Sequence, residues 1–131
     1  MKHLILLFSS MVFVTLSSQA QDINDKTKVD TASLIGNWQI DLGPTPDAEA
    51  YYQSFIVNKI NGNTFTGTFY GSPVNDGLIN PNWDKVYFAF STSDQTNTYY
   101  HSGYIQNGML HGITYCPDRS FTAPWTGTQT E

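Results

Sequence analysis

Along most of this chain, hydrophobic and polar positions alternate with a period of two, the spacing that sends successive side chains to opposite faces of a β-strand. The pattern starts at Ser33. Leu34, Gly36, Trp38, Ile40 and Leu42 share one face of a first strand over 34–42, which Gly43-Pro44-Thr45-Pro46 ends. A loop or short helical turn over 47–50 leads to a second strand, 51–60, with Phe55 and Val57 opposed to Ser54 and Asn58. After the turn Asn61-Gly62-Asn63, a third strand over 64–71 sets Phe65, Gly67 and Phe69 against a row of threonines, a residue type suited to the solvent face of a sheet. Residues 72–83 contain Pro73, Asp76-Gly77 and Pro81 and read mostly as loop, with 77–80 a short edge strand. Alternation resumes over 85–91, with Val86, Phe88 and Phe90 on one face and Tyr87 and Ala89 on the other.

The sharpest local signal lies between Thr98 and Thr114, where two alternating runs flank Asn107-Gly108. Both turn residues tolerate positive φ, as a type I′ hairpin turn requires. A two-residue loop fixes the register: Gln106 opposite Met109, then Ile105/Leu110, Gly103/Gly112 and His101/Thr114. The facing glycines leave a gap for another side chain or a ligand. Pro117-Asp118-Arg119 then turns the chain into a last strand, 121–129, in which Pro124 marks an edge or a bulge.

Seven clear strands, with an eighth at 77–80, are thus joined by mostly short connections and no helix of ordinary length. Such a meander must close into a barrel or fold into a sandwich to hide its edges. Glycines at 36, 67, 71, 103, 112 and 127 favour closure, because strong curvature needs positions without Cβ. The fold class expected is therefore all-β, an antiparallel up-and-down β-barrel of seven or eight strands, as one domain over 33–131.

Ahead of that domain the character changes. Lys2 and His3 precede an apolar run from Leu4 to Leu16, and Ser18-Gln19-Ala20 supplies small residues at a cleavage point, so 1–20 reads as a signal peptide. The run is too short for a membrane span, and no cysteine stands where a lipid anchor would attach. Residues 21–32, polar with charges of both signs, read as a flexible tether. The expected location is secreted or periplasmic.

The whole chain carries a formal charge of −5, and without Lys2 five basic residues face eleven acidic ones. Nucleic acid is excluded as a partner, since no cluster of Lys and Arg is present to displace its counterions. Cys116 is alone, so no intrachain disulfide forms, and a buried thiol is its expected state.

A family resemblance emerges from the motifs in order. Gly36-Asn37-Trp38 resembles the Gly-x-Trp motif of the calycins, the lipocalins and avidins. Phe55-Ile56-Val57, Thr66-Gly67-Thr68-Phe69 and Ser102-Gly103-Tyr104 follow in an order similar to the avidin pattern. The likeness spans about three-quarters of the chain after residue 20 and implies an up-and-down barrel with a ligand pocket at one open end. It also implies that biotin is not the ligand. Ile40, Pro44, Phe69 and Gly71 stand where avidins commonly place hydrogen-bonding side chains, and a buried urea-like head group needs such partners.

Alternation and the avidin pattern agree on an interior of Trp38, Ile40, Phe55, Val57, Phe65, Phe69, Val86, Phe88, Phe90, Tyr99, His101, Thr114, Phe121 and Trp125. Either these rings fill the barrel as a solid core, or some line a cavity for a small apolar or aromatic ligand. In the second case the binding residues are Trp38, Phe69, Phe90, Tyr99, His101, Thr114 and Trp125, with the polar ones orienting the ligand. No catalytic, metal or cofactor signature is present. His101 and His111 face opposite sides of the hairpin and cannot share a metal. Three functions follow: a secreted small-ligand barrel, placed first; a protein-interaction or inhibitor module, or a homo-oligomer, using the outer tyrosines around a solid core; and, last, an enzyme resting on His101.

Overall fold

The computed structural model describes residues 29–43 and 45–131; the expected signal peptide, 1–20, and residues 21–28 of the expected tether lie outside the described residues. Among the described residues nine strands form: β1 (Gly36–Asp41), β2 (Tyr52–Asn61), β3 (Thr64–Phe69), β4 (Ser72–Pro73), β5 (Asn75–Asn80), β6 (Tyr87–Ser93), β7 (Thr98–Gln106), β8 (Met109–Cys116) and β9 (Phe121–Thr130). Every pairing is antiparallel and between neighbours in the chain, except that β3 pairs with β5 past the two-residue β4 on its end and that β9 pairs with β1 to close the ring. The protein is a closed eight-stranded antiparallel up-and-down barrel.

The Asn107-Gly108 hairpin takes the expected register, with both turn residues at positive φ and pairs running from Gln106/Met109 to His101/Thr114. The segment at 77–80 differs from its reading. It belongs to β5, which sits inside the wall between β3 and β6 and is not an edge strand. It was obscured because β3 ends two residues earlier than alternation suggests. Tyr70 (φ 53°) and Gly71 (φ 78°) form a tight turn into β4. A bulky residue at positive φ is uncommon, and the Tyr70 hydroxyl is hydrogen-bonded to that of Tyr51.

A short helical turn precedes β1. Leu34 lies in a 3-10 helix, Thr31–Leu34, capped by the Asp30 carboxylate, and is fully buried. Its carbonyl accepts a 2.9 Å hydrogen bond from Trp38 Nε1, and Val29 packs on the core. Val29 and Leu34 thus both pack on the barrel, with the Asp30-capped turn between them. At the closing seam, the Gln129 side chain donates to Ile35 O and Thr130 Oγ1 to Asn37 O. Pro124 pairs with Ile113 of β8, while contact with β1 begins only at Thr126. Proline thus falls where β9 is flanked on one side, which is the local edge it requires.

Side chains from all eight wall strands meet in the middle. Phe55 stacks on Phe90 at 5.1 Å between ring centroids and meets Phe69 edge-on at 5.5 Å, and Phe69 contacts Trp125 at 5.4 Å. The gap at Gly103/Gly112 is filled from inside. A Cβ on Gly112 would collide with the indole of Trp125, and one on Gly103 would come within 2.9 Å of Phe88. Phe121, expected inside, is instead exposed beneath the Arg119 guanidinium, because the strand begins at the barrel mouth, where there is no interior to face.

Adding a methyl at Gly112 forces the indole or the β8 backbone to move, so Gly112→Ala should destabilise the protein by about 2–3 kcal/mol in urea denaturation. Ser102→Ala on the outer surface should stay within about 0.5 kcal/mol of wild type. An unchanged midpoint for Gly112→Ala would mean that Trp125 does not rest on β8.

Candidate functional site

The seven residues expected to line a pocket divide into three groups. Phe69, Phe90, His101, Thr114 and Trp125 come together near the barrel axis and are all buried. Trp38 is equally buried, with its indole nitrogen committed to Leu34. Tyr99 stands apart at the rim. It is half-buried, its hydroxyl lies 3.3 Å from Asp94 Oδ2, and it accepts a 3.0 Å bond from Arg119. The Arg119 side chain, whose partner sequence alone leaves open, thus lies over Tyr99 and Phe121 and not over a tryptophan.

His101 is the centre of the buried group. Its ring stacks on Phe90 at 4.7 Å and contacts Phe69 at 4.4 Å. Nδ1 lies 2.8 Å from Thr114 Oγ1 and Nε2 lies 2.9 Å from Thr92 Oγ1, while Trp125 Nε1 donates to Thr114 Oγ1 at 3.0 Å. Since Thr114 already accepts from the indole, its own proton can go to Nδ1, which places the ring proton on Nε2 toward Thr92. The result is a hydrogen-bonded chain of four side chains inside a wall of phenyl rings. Thr92 is the member that sequence reasoning missed. The alternation Phe88, Phe90, Thr92 continues one step past the assumed strand end, and that step was the available signal.

This arrangement suits a neutral imidazole and gives it little chemistry to perform. Burial pushes the His101 pKa down to about 4, because a cation there loses hydration without gaining a counter-charge. Cys116 is buried, and among the described residues no three His, Cys, Asp or Glu side chains converge as metal ligands. His111 lies outside, stacked on Tyr104 at 5.2 Å. No helix among the described residues is long and apolar enough to cross a membrane.

Two concavities among the described residues lie on the outer wall. One, of about 370 Å³, lies over β1 and β2 beside Asn37, Gln39, Tyr52 and Ser54. The other, of about 430 Å³, lies over β5 to β8 beside Leu78, Ala89, Tyr100, Ser102, Ile113 and Tyr115. Leu78, Tyr100, Ile113 and Tyr115 are each about half exposed there, at 47–54 %. Comparison with protein-family models, with curated proteins and with solved structures finds no match to this chain.

A histidine that resists protonation makes stability depend on pH. The unfolded chain takes up a proton near pH 6.5 and the folded one only near pH 4, so stability falls as pH drops through this window and is independent of this group above it. The loss should reach roughly 3 kcal/mol at pH 4. Asp94, held low by the backbone N–H groups of Thr96 and Asn97, and Asp84, held low by Lys85 and Tyr87, act in a lower range. Their stabilisation is lost only as pH falls below the ordinary carboxylate pKa of about 4. Urea midpoints measured from pH 7 to pH 4 should therefore slope downward in the wild type, and the slope between 6.5 and 4 should vanish in His101→Gln. A slope of equal size in that variant would place the titrating group elsewhere.

Proposed function

We propose that this chain is an exported binding protein built on a calycin-like barrel, in which the interior is structural and the outer wall of β5 to β8 carries the binding face. The observation behind this reading is the contrast between the two surfaces. Among the described residues, no buried side-chain nitrogen or oxygen lacks a hydrogen-bond partner. The polar groups that would orient an internal ligand are thus already engaged by one another. A small apolar or aromatic molecule inside would have to part Phe69 and Phe90 from His101 and give up those ring contacts. Outside, by contrast, Tyr100 and Tyr115 sit side by side with their rings half exposed. Tyrosine offers apolar area and a polar tip together, the combination enriched in binding surfaces.

The export part of the proposal rests on the leader-like residues 1–20. It involves no catalytic step, cofactor or metal. Biotin is not the expected ligand, because the positions occupied by Ile40 and Phe69 are buried and apolar.

Native mass spectrometry and affinity capture from the protein's own secretory milieu separate the two surfaces. A bound species should be retained by wild type and by the interior variant Phe69→Leu, and lost from Tyr100→Ala/Tyr115→Ala with the barrel still folded by circular dichroism. A species lost with Phe69→Leu but kept by the tyrosine variant would move the site inside. Calorimetric titration with biotin should show no binding at micromolar concentration.

A further inference from the structure

The outer face of β5 to β9 is ordered in rows that run across the strands. The middle row pairs Leu78, Ala89, Ser102, Ile113 and Pro124 in succession. On one side of it runs Ser91, Tyr100, Tyr115 and Thr122, and on the other Tyr87, Tyr104, His111 and Thr126. Rows on one face are two residues apart along a strand, about 7 Å, so the two flanking rows stand about 14 Å from each other. The middle row is low at Ala89 and Ser102, whose side chains are small, and both flanks carry rings. The Tyr100 and Tyr115 centroids are 6.4 Å apart, and on the far flank Trp83 leans on Tyr87 at 5.8 Å with 65 % of its surface exposed. The outcome is a trough over Ala89 and Ser102, walled by Tyr100 and Tyr115 on one side and bounded along its floor by the half-exposed Leu78 and Ile113.

We infer that this trough binds a neutral oligosaccharide chain, an inference that rests on the outer-wall reading above. Four features select that chemistry. The strands beneath the floor are paired on both sides, so no open backbone edge is available to receive a peptide as an added strand. Recognition has to come from ring faces and side-chain oxygens. The face of an aromatic ring is electronegative, and the axial C–H groups of a sugar ring, polarised by the neighbouring oxygens, are its natural complement. Asp76, turned outward at the irregular start of β5 with φ 51°, sets a carboxylate at the edge of the groove. Its two oxygens can accept from a pair of adjacent sugar hydroxyls, and Ser91 and Ser102 add further hydroxyls. No Lys or Arg is among the residues that line the concavity over Ala89 and Ser102, and Lys85, which lies over Tyr104 on the far flank, is paired with Asp84, so an acidic glycan meets the Asp76 carboxylate without a free cation to offset it.

The test is calorimetric titration of the purified protein with six neutral hexasaccharides: cello-, laminari-, malto-, xylo-, manno- and fully N-acetylated chitohexaose, with an oligogalacturonate hexamer as the charged comparator. At least one neutral chain should bind saturably below millimolar concentration, and the oligogalacturonate should not. Tyr100→Ala and Tyr115→Ala should each weaken that binding tenfold or more and Asp76→Asn about fivefold. Tyr52→Ala, on another part of the wall, should leave it unchanged. No saturable binding to any neutral chain, or stronger binding of the oligogalacturonate, overturns the inference. If in that case the tyrosine variant still loses its captured species, the outer wall stands as a site for a different partner. Sugar binding that survives both tyrosine substitutions overturns the outer-wall reading itself. Self-association in sedimentation that Tyr100→Ala abolishes, without sugar binding, assigns the trough to a second copy of the chain and overturns the inference.

Discussion

The indole of Trp125 resting on the bare backbone of Gly112 is the contact on which the rest of the barrel is arranged. It brings β9 and β8 into one register, reaches Phe69 and Phe88 across the interior and delivers its N–H to Thr114. Through Thr114 it is joined to His101, and through His101 to Thr92 on β6. One side chain from the last strand thus ties four other wall strands, β3, β6, β7 and β8, to a shared set of hydrogen bonds and ring contacts. A side chain at position 112 would occupy the space the indole needs.

The parts of this fold that were legible in the sequence are those set by neighbours in the chain. Asn107-Gly108 specified its turn and therefore its register pair by pair, and period-two alternation brought Phe55, Phe69, Phe90, His101 and Trp125 to one side. The rest depended on distant groups. Alternation has no means of saying that a tyrosine will adopt positive φ, so the turn at Tyr70-Gly71 was hidden and β5 passed for an edge. Tyr99 and Phe121 alternate correctly but sit at the mouth, where the interior ends and Arg119 covers them. Leu34 continues the apolar pattern of β1, yet the chain is helical there, capped by Asp30, and its carbonyl receives the Trp38 N–H.

The candidate site was less legible than the fold, and the reason is chemical. Residue types inside the barrel, aromatic rings with a few hydroxyls and one imidazole, are the same whether they hold a ligand or one another. What distinguishes the cases is the pairing of each polar atom, and that appears only in three dimensions. The outer rows were partly visible as a list of tyrosines, but their arrangement around Ala89 and Ser102 follows from the register of four strand pairs, two of which involve β5 or β9.

The seam between β1 and β9 also governs how the molecule forms. Asn37 pairs with Thr130 and Asp41 with Thr126, contacts separated by most of the described chain. The hairpins between them can assemble from nearby residues, but the ring shuts only when its two ends find each other. Such long-range pairing is slow, since a large loop must be ordered before the contact rewards it. A chain that cannot close early stays unfolded for longer, the condition that the export proposed above would require of it.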